Sequence, residues 1–484
     1  MINTVYRPLI WSFLAILIFS CEDPIDLNPS IVTEDALLVS GERMRLSGRV
    51  ITTQSINASD HGFYISDNEG FSQPTIISLG ARENPGRFIG ETAGLSIERP
   101  YFVKAFAELP EGILFGNVLN IETLSPNVFK FSPSDGAEGT IVTITGVNLT
   151  QDVRVFFGDN EAEVIDIDFE SVLRVRVPPI GNESSVPVRV IIQEKELRIQ
   201  GNYEYSTGIY TKLFEFPGTV RFIEGISLQE GNTFYSGMGT DQSSALNNSF
   251  WKYNLGDPEW VRIDPPTRVL RRAFSSNTYY GGGSASFFPF LTVRDFVKLE
   301  NGNFEVLPDL PFNFINGKGF ELSGKLYLAG GDESTDVYEY DPESGDWSIV
   351  GSVPYRILNN NFSFTYQNRQ YFINPETRDL IMFNPDNYSW TTVGSYPGEL
   401  GNNGNGFAVN LGNKVFLGLG NRSSQVWELD MNTLNWLRKN DFSGSSLARI
   451  VGSYVVDEEI YFLRSPESQV GGSVEFWRFD PFAF

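Results

Sequence analysis

Of the side chains that most often do acid–base or nucleophilic chemistry, this chain carries 60 Asp and Glu but one His and one Cys. The single histidine, His61, lies on a predicted strand far in sequence from the C-terminal half, so a Ser–His–Asp or Cys–His relay is excluded there. Zinc and copper sites draw on several His or Cys ligands and are excluded for the same reason. No metal or cofactor is expected, and His61 reads as a strand residue with a satisfied hydrogen bond. Two carboxylates about 5 to 9.5 Å apart would suffice for glycoside hydrolysis, but the obvious candidates recur. Asp341, Asp430 and Asp480, with Asn254 and Asn384, occupy one place before a strand-ending turn in successive copies of a repeat. A side chain repeated at one place reads as a turn cap, because Asp and Asn bond their own backbone two residues on. No catalytic residue is assigned, and a binding protein is favoured over an enzyme.

Binding chemistry is better represented. Polar donors gather in loops leading into strands that carry small residues: Arg221, Arg268, Arg271, Arg272, Asn313, Asn316, Arg356, Asn359, Asn360, Asn402, Asn403, Asn405 and Arg449. The small residues are Ser227, Gly319, Ser363, Ala408 and Ser453, which fit innermost strands crowding a central channel. If the repeats close into a ring, those loops surround one mouth. Guanidinium and amide groups there suit hydroxyl-rich or anionic ligands; the alternative is a set of solvated turns. The candidate ligand-binding set is Arg221, Arg268, Arg272, Asn313, Arg356, Asn359, Asn403, Asn405 and Arg449. A second candidate is the Gly- and aromatic-rich stretch Thr278–Phe290, unmatched in the other copies. Tyr279 is the core aromatic of the repeat, leaving Tyr280, Phe287, Phe288 and Phe290 for exposure as a binding surface or for burial under an enlarged loop.

The elements that position these residues repeat. The clearest copy is GKLYLAGGDESTDVYEYDPESGDWSIVGSVP, 324–354, and the next carries RQYFIN, LIMFNP and SWTTVGSYP. Trp260, Phe304, Trp347, Trp390 and Trp436 recur at roughly 43 to 46 residues, a period of propeller blades. A sixth copy begins near Arg449 and runs through VEFWRFDP with no Trp strand after it. The stretch YTKLFEFP, 210–217, has the pattern of a fourth strand and no blade in front of it, so it is expected to complete the last blade and close the ring. Trp251, Trp427 and Trp477 share a register with Tyr338 and Ile381 and read as packing between blades. The copies resemble kelch repeats, whose signature is a Gly–Gly doublet, a later Tyr or Asp pair and a Trp. Gly330–Gly331 and Gly282–Gly283 keep the doublet; Gly237-Met238-Gly239 and Gly418-Leu419-Gly420 stand in for it, and Asn374 and Arg464 fall near its place in two blades. The copper-radical oxidases built on this repeat need His and a Tyr–Cys crosslink, which this chain cannot supply.

Net charge is −24 and the isoelectric point is near 4.5, which excludes nucleic acid as a partner because phosphates need a basic stripe. At the N-terminus, Arg7 precedes an apolar run over 9–19. As a helix the run would span about 17 Å, short of the roughly 30 Å bilayer core, and it fits a signal-peptide core. It ends in Ile18-Phe19-Ser20-Cys21, which resembles a bacterial lipobox. The resemblance implies a signal peptide over 1–21 and an acylated Cys21, a membrane anchor through two or three chains. The acidic, Pro-containing stretch 22–34 reads as a tether. Its Glu22-Asp23 start resembles the export signal of surface lipoproteins in Bacteroidota-type bacteria, which implies an outer-membrane protein exposed at the cell surface; a plain solvated linker is the alternative.

Between tether and repeats, 35–124 contains LSGRVIT, HGFYISD, RPYFVKAFAEL and ILFGNVLNIETL, alternating strands at sandwich spacing. In that order they resemble fibronectin type III-like domains, with Tyr101, Lys104, Ala105, Phe106, Ala107 and Gly116-Asn117 at the motif positions. In 125–206, Pro133, Gly136, Gly139-Thr140 and VTITG, followed by Phe156-Phe157-Gly158, closely resemble an IPT/TIG immunoglobulin-like domain. The sequence thus describes an all-β chain of two immunoglobulin-like sandwiches followed by a six-bladed kelch-like propeller over 207–484. The functional expectation is a lipid-anchored surface protein whose propeller captures glycan from a two-sandwich stalk. The alternatives are a scaffold for protein partners in an outer-membrane complex and a sugar mutarotase or glycan-processing enzyme.

Overall fold

The computed structural model describes residues 28–484 apart from 242, 244, 290, 401–405 and 421. The signal peptide, Cys21, the tether up to residue 27, Phe290, Asn402, Asn403 and Asn405 lie outside the described residues. Every described element is a β-strand, and among these residues no helix is long and apolar enough to cross a membrane.

The chain divides into two compact units. The first opens with an immunoglobulin-like sandwich. One sheet joins Ser30–Val39, Met44–Ile51 and Gly86–Thr92; the other joins Thr75–Ser78, Asp60–Ser66, Pro100–Leu109 and Gly112–Phe115, with Leu119–Glu122 also paired to Pro100–Leu109. Period-two alternation sends Met44, Leu46 and Val50 inward against Phe63, Val103 and Ala105, and leaves Arg45 and Arg49 outside.

Ser30–Val39 corrects the tether boundary, since the first strand begins inside the stretch read as linker. It pairs from Ser30↔Ile51 to Val39↔Met44. Its polar sequence hides it, because Glu34 is balanced only by residues distant in sequence: Ser47 Oγ and Arg49 Nε donate to it at 2.6 Å and Arg87 Nε at 2.7 Å. These donors, Ser47 first, hold the Glu34 carboxyl down at about 2. The Gly116-Asn117 pair also acquires a cause. Thr33 donates its N–H to Asn117 Oδ1 (3.0 Å) and its hydroxyl to Asn117 O (2.6 Å), and a Cβ on Gly116 would stand 2.6 Å from Thr33 Oγ1.

The second sandwich pairs Asn127–Ser132, Ile141–Val147, Val172–Arg176 and Asn160–Asp168 in one antiparallel ladder. Residues 160–162 pair instead with Arg154–Phe157, which pairs with Ser185–Ile192. One strand therefore serves both ladders, with a register shift between Val164 and Asp166. Shifts of this kind kink a strand and re-aim its ladder.

The second unit holds six four-stranded antiparallel sheets, the blades of a propeller. Their first strands are Ile226–Glu230, Phe274–Ser275, Lys318–Leu322, Ser363–Tyr366, Phe407–Leu411 and Ala448–Val456, in blades 1 to 6. Blade 6 is completed by Ile209–Glu215, which pairs antiparallel with Glu475–Asp480 from Ile209↔Asp480 to Glu215↔Glu475. Tyr210 stacks on Phe479 with ring centroids 4.4 Å apart, and its hydroxyl donates to Asn440 O at 2.9 Å. Lys212 Nζ joins Glu215 (2.7 Å) and Glu475 (2.9 Å).

The recurring carboxylates and amides serve turns. Asp341, Asn384 and Asp430 Oδ1 each accept the backbone N–H two residues on, at 2.8 to 2.9 Å, as does Asp480 at 3.1 Å. Asn254 departs from the pattern, donating through Nδ2 to Asp257. Glycines at the ends of second strands let blades approach one another. Gly239, Gly283 and Gly331 donate N–H to Leu270 O, Phe314 O and Ile357 O of the loop entering the next blade, at 2.7 to 2.8 Å. Gly331 has φ +104°, and a Cβ there would meet Ile315 O at 2.6 Å. Gly345 has φ +76° with open space around it. Gly345→Ala should therefore cost about 1 kcal/mol, whereas Gly331→Ala should cost about 2–3 kcal/mol, lowering the melting temperature by roughly 5–10 °C. Equal shifts in calorimetry would remove close approach as the reason for the doublet.

Candidate functional site

A cavity of about 150 Å³ lies on the propeller axis. Every blade supplies part of its wall: Gly225 and Ser227, Ala273 and Ser275, Gly317 and Lys318, Asn359 to Asn361, Gly406, and Ile450 with Val451, in blade order. Of the small residues expected to crowd the channel, Ser227 lines this cavity; Gly319, Ser363, Ala408 and Ser453 do not, and Gly225, Ala273, Ser275, Gly317 and Gly406 supply the small residues instead.

The loops entering blades 1 to 4 are linked in series around the mouth. Arg272 N donates to Glu224 O (3.0 Å), Asn316 N to Arg272 O (2.8 Å) and Asn359 N to Asn316 O (2.9 Å). Glu224, Arg272 and Asn316 share a left-handed conformation, with φ of 58°, 50° and 61°. Side chains reinforce the series. Glu224 Oε2 accepts Arg271 Nε (2.8 Å) and Nη2, and Glu224 Oε1 accepts Arg272 Nε (2.9 Å). Asp332 accepts Arg356 Nη2 at 2.6 Å and Asn316 Nδ2 at 3.1 Å, and Arg272 Nη1 stands 3.5 Å away.

This arrangement corrects the picture of free donors around the mouth. Arg272 and Arg356 are matched by Glu224 and Asp332, Arg268 is paired with Asp295 at 3.0 Å, and Asn313 accepts from Arg294 at 3.1 Å. Of the described members of the candidate set only Asn359 lines the cavity, joined by its neighbours Asn360 and Asn361. Arg221 lies beside the entry to blade 1 with a buried Nη1 that has no hydrogen-bond partner. Arg449 stands opposite Ser465 in the first strand of blade 6. Asn403 and Asn405 lie outside the described residues.

The aromatic stretch divides. Tyr280 is fully buried and does not join a surface. Tyr279 and Tyr280 point to opposite faces of one strand, and both faces of that blade are covered by neighbouring clusters. Phe287 and Phe288 are 43% and 84% exposed, with Leu291 beside them. Arg271 ties this loop to the mouth. Its guanidinium lies 4.6 Å from the Phe287 ring centroid, and its Nη1 donates to Phe287 O at 3.3 Å. The same side chain holds Glu224 on the cavity wall, so the exposed aromatics and the cavity share one support.

Lys318 and Glu224 escape a reading based on loops. Lys318 opens the first strand of blade 3, and its Nζ donates to Asn359 O (3.1 Å) and Asn361 O (3.4 Å). Burial pushes its ammonium down to about 8. A signal was present: by ladder register Lys318 occupies the place of Ile226, Phe274 and Phe407, all buried and apolar. Among the described residues no group of three or more His, Cys, Asp or Glu could hold a metal ion. His61 Nδ1 donates to Gly80 O at 2.7 Å in the first sandwich.

Residues 121–207 match the IPT/TIG domain, and an IPT/TIG domain is present in this chain. No curated protein matches the chain. Two solved structures are similar in part. One is YjhT, 15% identical with a TM-score of 0.42 over 54% of this chain and 94% of that one. The other is a structural-genomics protein of unknown function from Bacteroides thetaiotaomicron, 12% identical with a TM-score of 0.40 over 73% of this chain and 98% of that one. Likeness at these scores carries no functional argument.

The mouth network makes a stability prediction. Arg271 is only 3% exposed, so Glu224→Ala strips a buried guanidinium of its carboxylate. That should cost about 2–3 kcal/mol, whereas Arg268→Ala, at a 60% exposed side chain, should cost under about 1 kcal/mol. Denaturant midpoints that do not separate the two variants would contradict the assigned network.

Proposed function

We propose that this chain is a lipid-anchored surface protein whose kelch-type propeller captures glycan at the axial mouth, with the two sandwiches as spacers. The observation that carries the reading is the conjunction at Arg271: a polar, hydroxyl- and amide-lined cavity beside a pair of exposed phenylalanines. Sugar rings present hydroxyls to Ser and Asn and an apolar face to aromatic rings. Titration calorimetry of the intact protein against a panel of polysaccharides and their oligosaccharides tests it. At least one glycan should bind, and Phe287→Ala with Phe288→Ala should weaken it about tenfold, a loss of about 1.4 kcal/mol. A panel without any binder would reject glycan capture.

The anchor is tested separately. Metabolic labelling with a tagged fatty acid should mark the protein, and Cys21→Ser should abolish the label and move the chain from the membrane to the soluble fraction. Retention of the label in that variant would refute the lipoprotein reading. The exposed ridge of Phe287, Phe288 and Leu291 also supports a second reading, docking of a protein partner in an outer-membrane complex. Crosslinking in membranes that captures one partner, lost on Phe288→Ala, would favour that reading over glycan.

A further inference from the structure

We propose that Lys318 makes the axial cavity a receptor for one oxyanion borne on a sugar, a carboxylate or a sulfate ester, so that the captured glycan is acidic. This rests on glycan capture as the function and goes beyond it by naming the chemical class.

The first argument is register. Aligned through the ladders, the place of Lys318 is held in blades 1, 2 and 5 by Ile226, Phe274 and Phe407, each buried between blades. A lysine there replaces packing with a charge, and breaks of a local rule without structural gain concentrate at functional sites. The second is the missing counter-ion. Among the described residues Lys318 forms no ion pair; its two acceptors there are backbone carbonyls, Asn359 O and Asn361 O. An ammonium has three donors, so one remains for a ligand. Glu224, the other charged residue on the cavity wall, is already engaged by Arg271 and Arg272. In a chain of net charge −24, a half-buried cation on the cavity wall with no carboxylate against it among the described residues is costly until it is matched.

The third argument is the wall. Ser227, Ser275 and Asn359 line the space with the lysine, so an anion held at Nζ would carry its hydroxyls against hydroxyl and amide groups. A volume of about 150 Å³ is of the size that admits a single six-membered ring. The cavity therefore takes one sugar unit, at a chain end or on a branch, and leaves the remainder of the glycan to the mouth and the Phe287–Phe288 ridge.

Calorimetry on the intact protein at pH 7 would compare methyl glucuronoside, glucose 6-sulfate and methyl glucoside, with Lys318→Met alongside. At least one charged sugar should bind tenfold or more tightly than the neutral one, and its arm identifies carboxylate or sulfate as the preferred oxyanion. Lys318→Met should erase the preference with an unchanged or higher melting temperature. Should that variant not fold, pH provides the second readout in the wild-type protein. The ligand stabilises the protonated amine, so affinity is retained below about pH 8 and falls roughly tenfold per unit well above it. Neither ligand type titrates there. Equal binding of charged and neutral sugars, or affinity for the charged sugar that is flat from pH 7 to 9.5, would overturn the assignment while leaving glycan capture intact. Absence of binding by all three sugars, together with a polysaccharide panel that also fails, would overturn both.

Discussion

Ring closure is the constraint on which the rest of the propeller depends. Without a fourth strand, blade 6 would end in Glu475–Asp480, whose outer side would present a row of unmatched donors and acceptors. Pairing Ile209–Glu215 with Glu475–Asp480 covers that side, gives blade 6 its fourth strand and ties the start of the propeller to its end in one sheet. The seam carries more than a ladder: Tyr210 against Phe479, Phe214 against Phe476, and Lys212 between two glutamates. With the ring shut, first strands from all six blades converge on the axis, and small residues among them decide that a cavity exists at all.

From closure the mouth follows by close approach. In blades 1 to 3 the glycines that end second strands bring the backbone against the loop entering the next blade, and that contact helps seat those loops in series. Once the loops are seated, charge decides which side chains are available. Glu224 and Asp332 engage arginines of the loops entering blades 2 and 4, so most of the cationic character is spent on the architecture. What is left facing the axis is Lys318, Ser227, Ser275 and the Asn359–Asn361 run. The same arginine that orders Glu224 also seats Phe287, and this makes one surface of the cavity and the aromatic ridge.

Repetition explains what could be read from the sequence. The six-bladed ring, its closing strand, the turn-capping role of Asp341, Asp430 and Asp480, and the inter-blade packing of Trp251 and Trp477 all repeat or complete a repeat, so one copy interprets another. The IPT/TIG domain was legible for a related reason, its glycines and alternating valines standing at turn and core positions. What was illegible depends on single long-range partners. The start of the first strand, 30–34, looked like linker because Arg49, Ser47 and Arg87 balance Glu34 from other strands. The mouth arginines looked free because Asp295 and Asp332 lie in loops with no shared pattern. Tyr280 looked available because a strand buried on both faces cannot be told by alternation alone. Lys318 leaves a mark in the sequence, standing one position before Gly319 where sister blades place apolar residues.

Hydrogen exchange across the seam tests this account most directly. In the intact chain, backbone amides of 211–215 and 475–480 that join the ladder should exchange together with those of the blade 6 strand Glu459–Pro466, through one cooperative opening. Fast exchange over 209–215 beside a protected Glu459–Pro466 would mean that this segment does not hold the ring closed, and the axial cavity with its lysine would lose its structural basis.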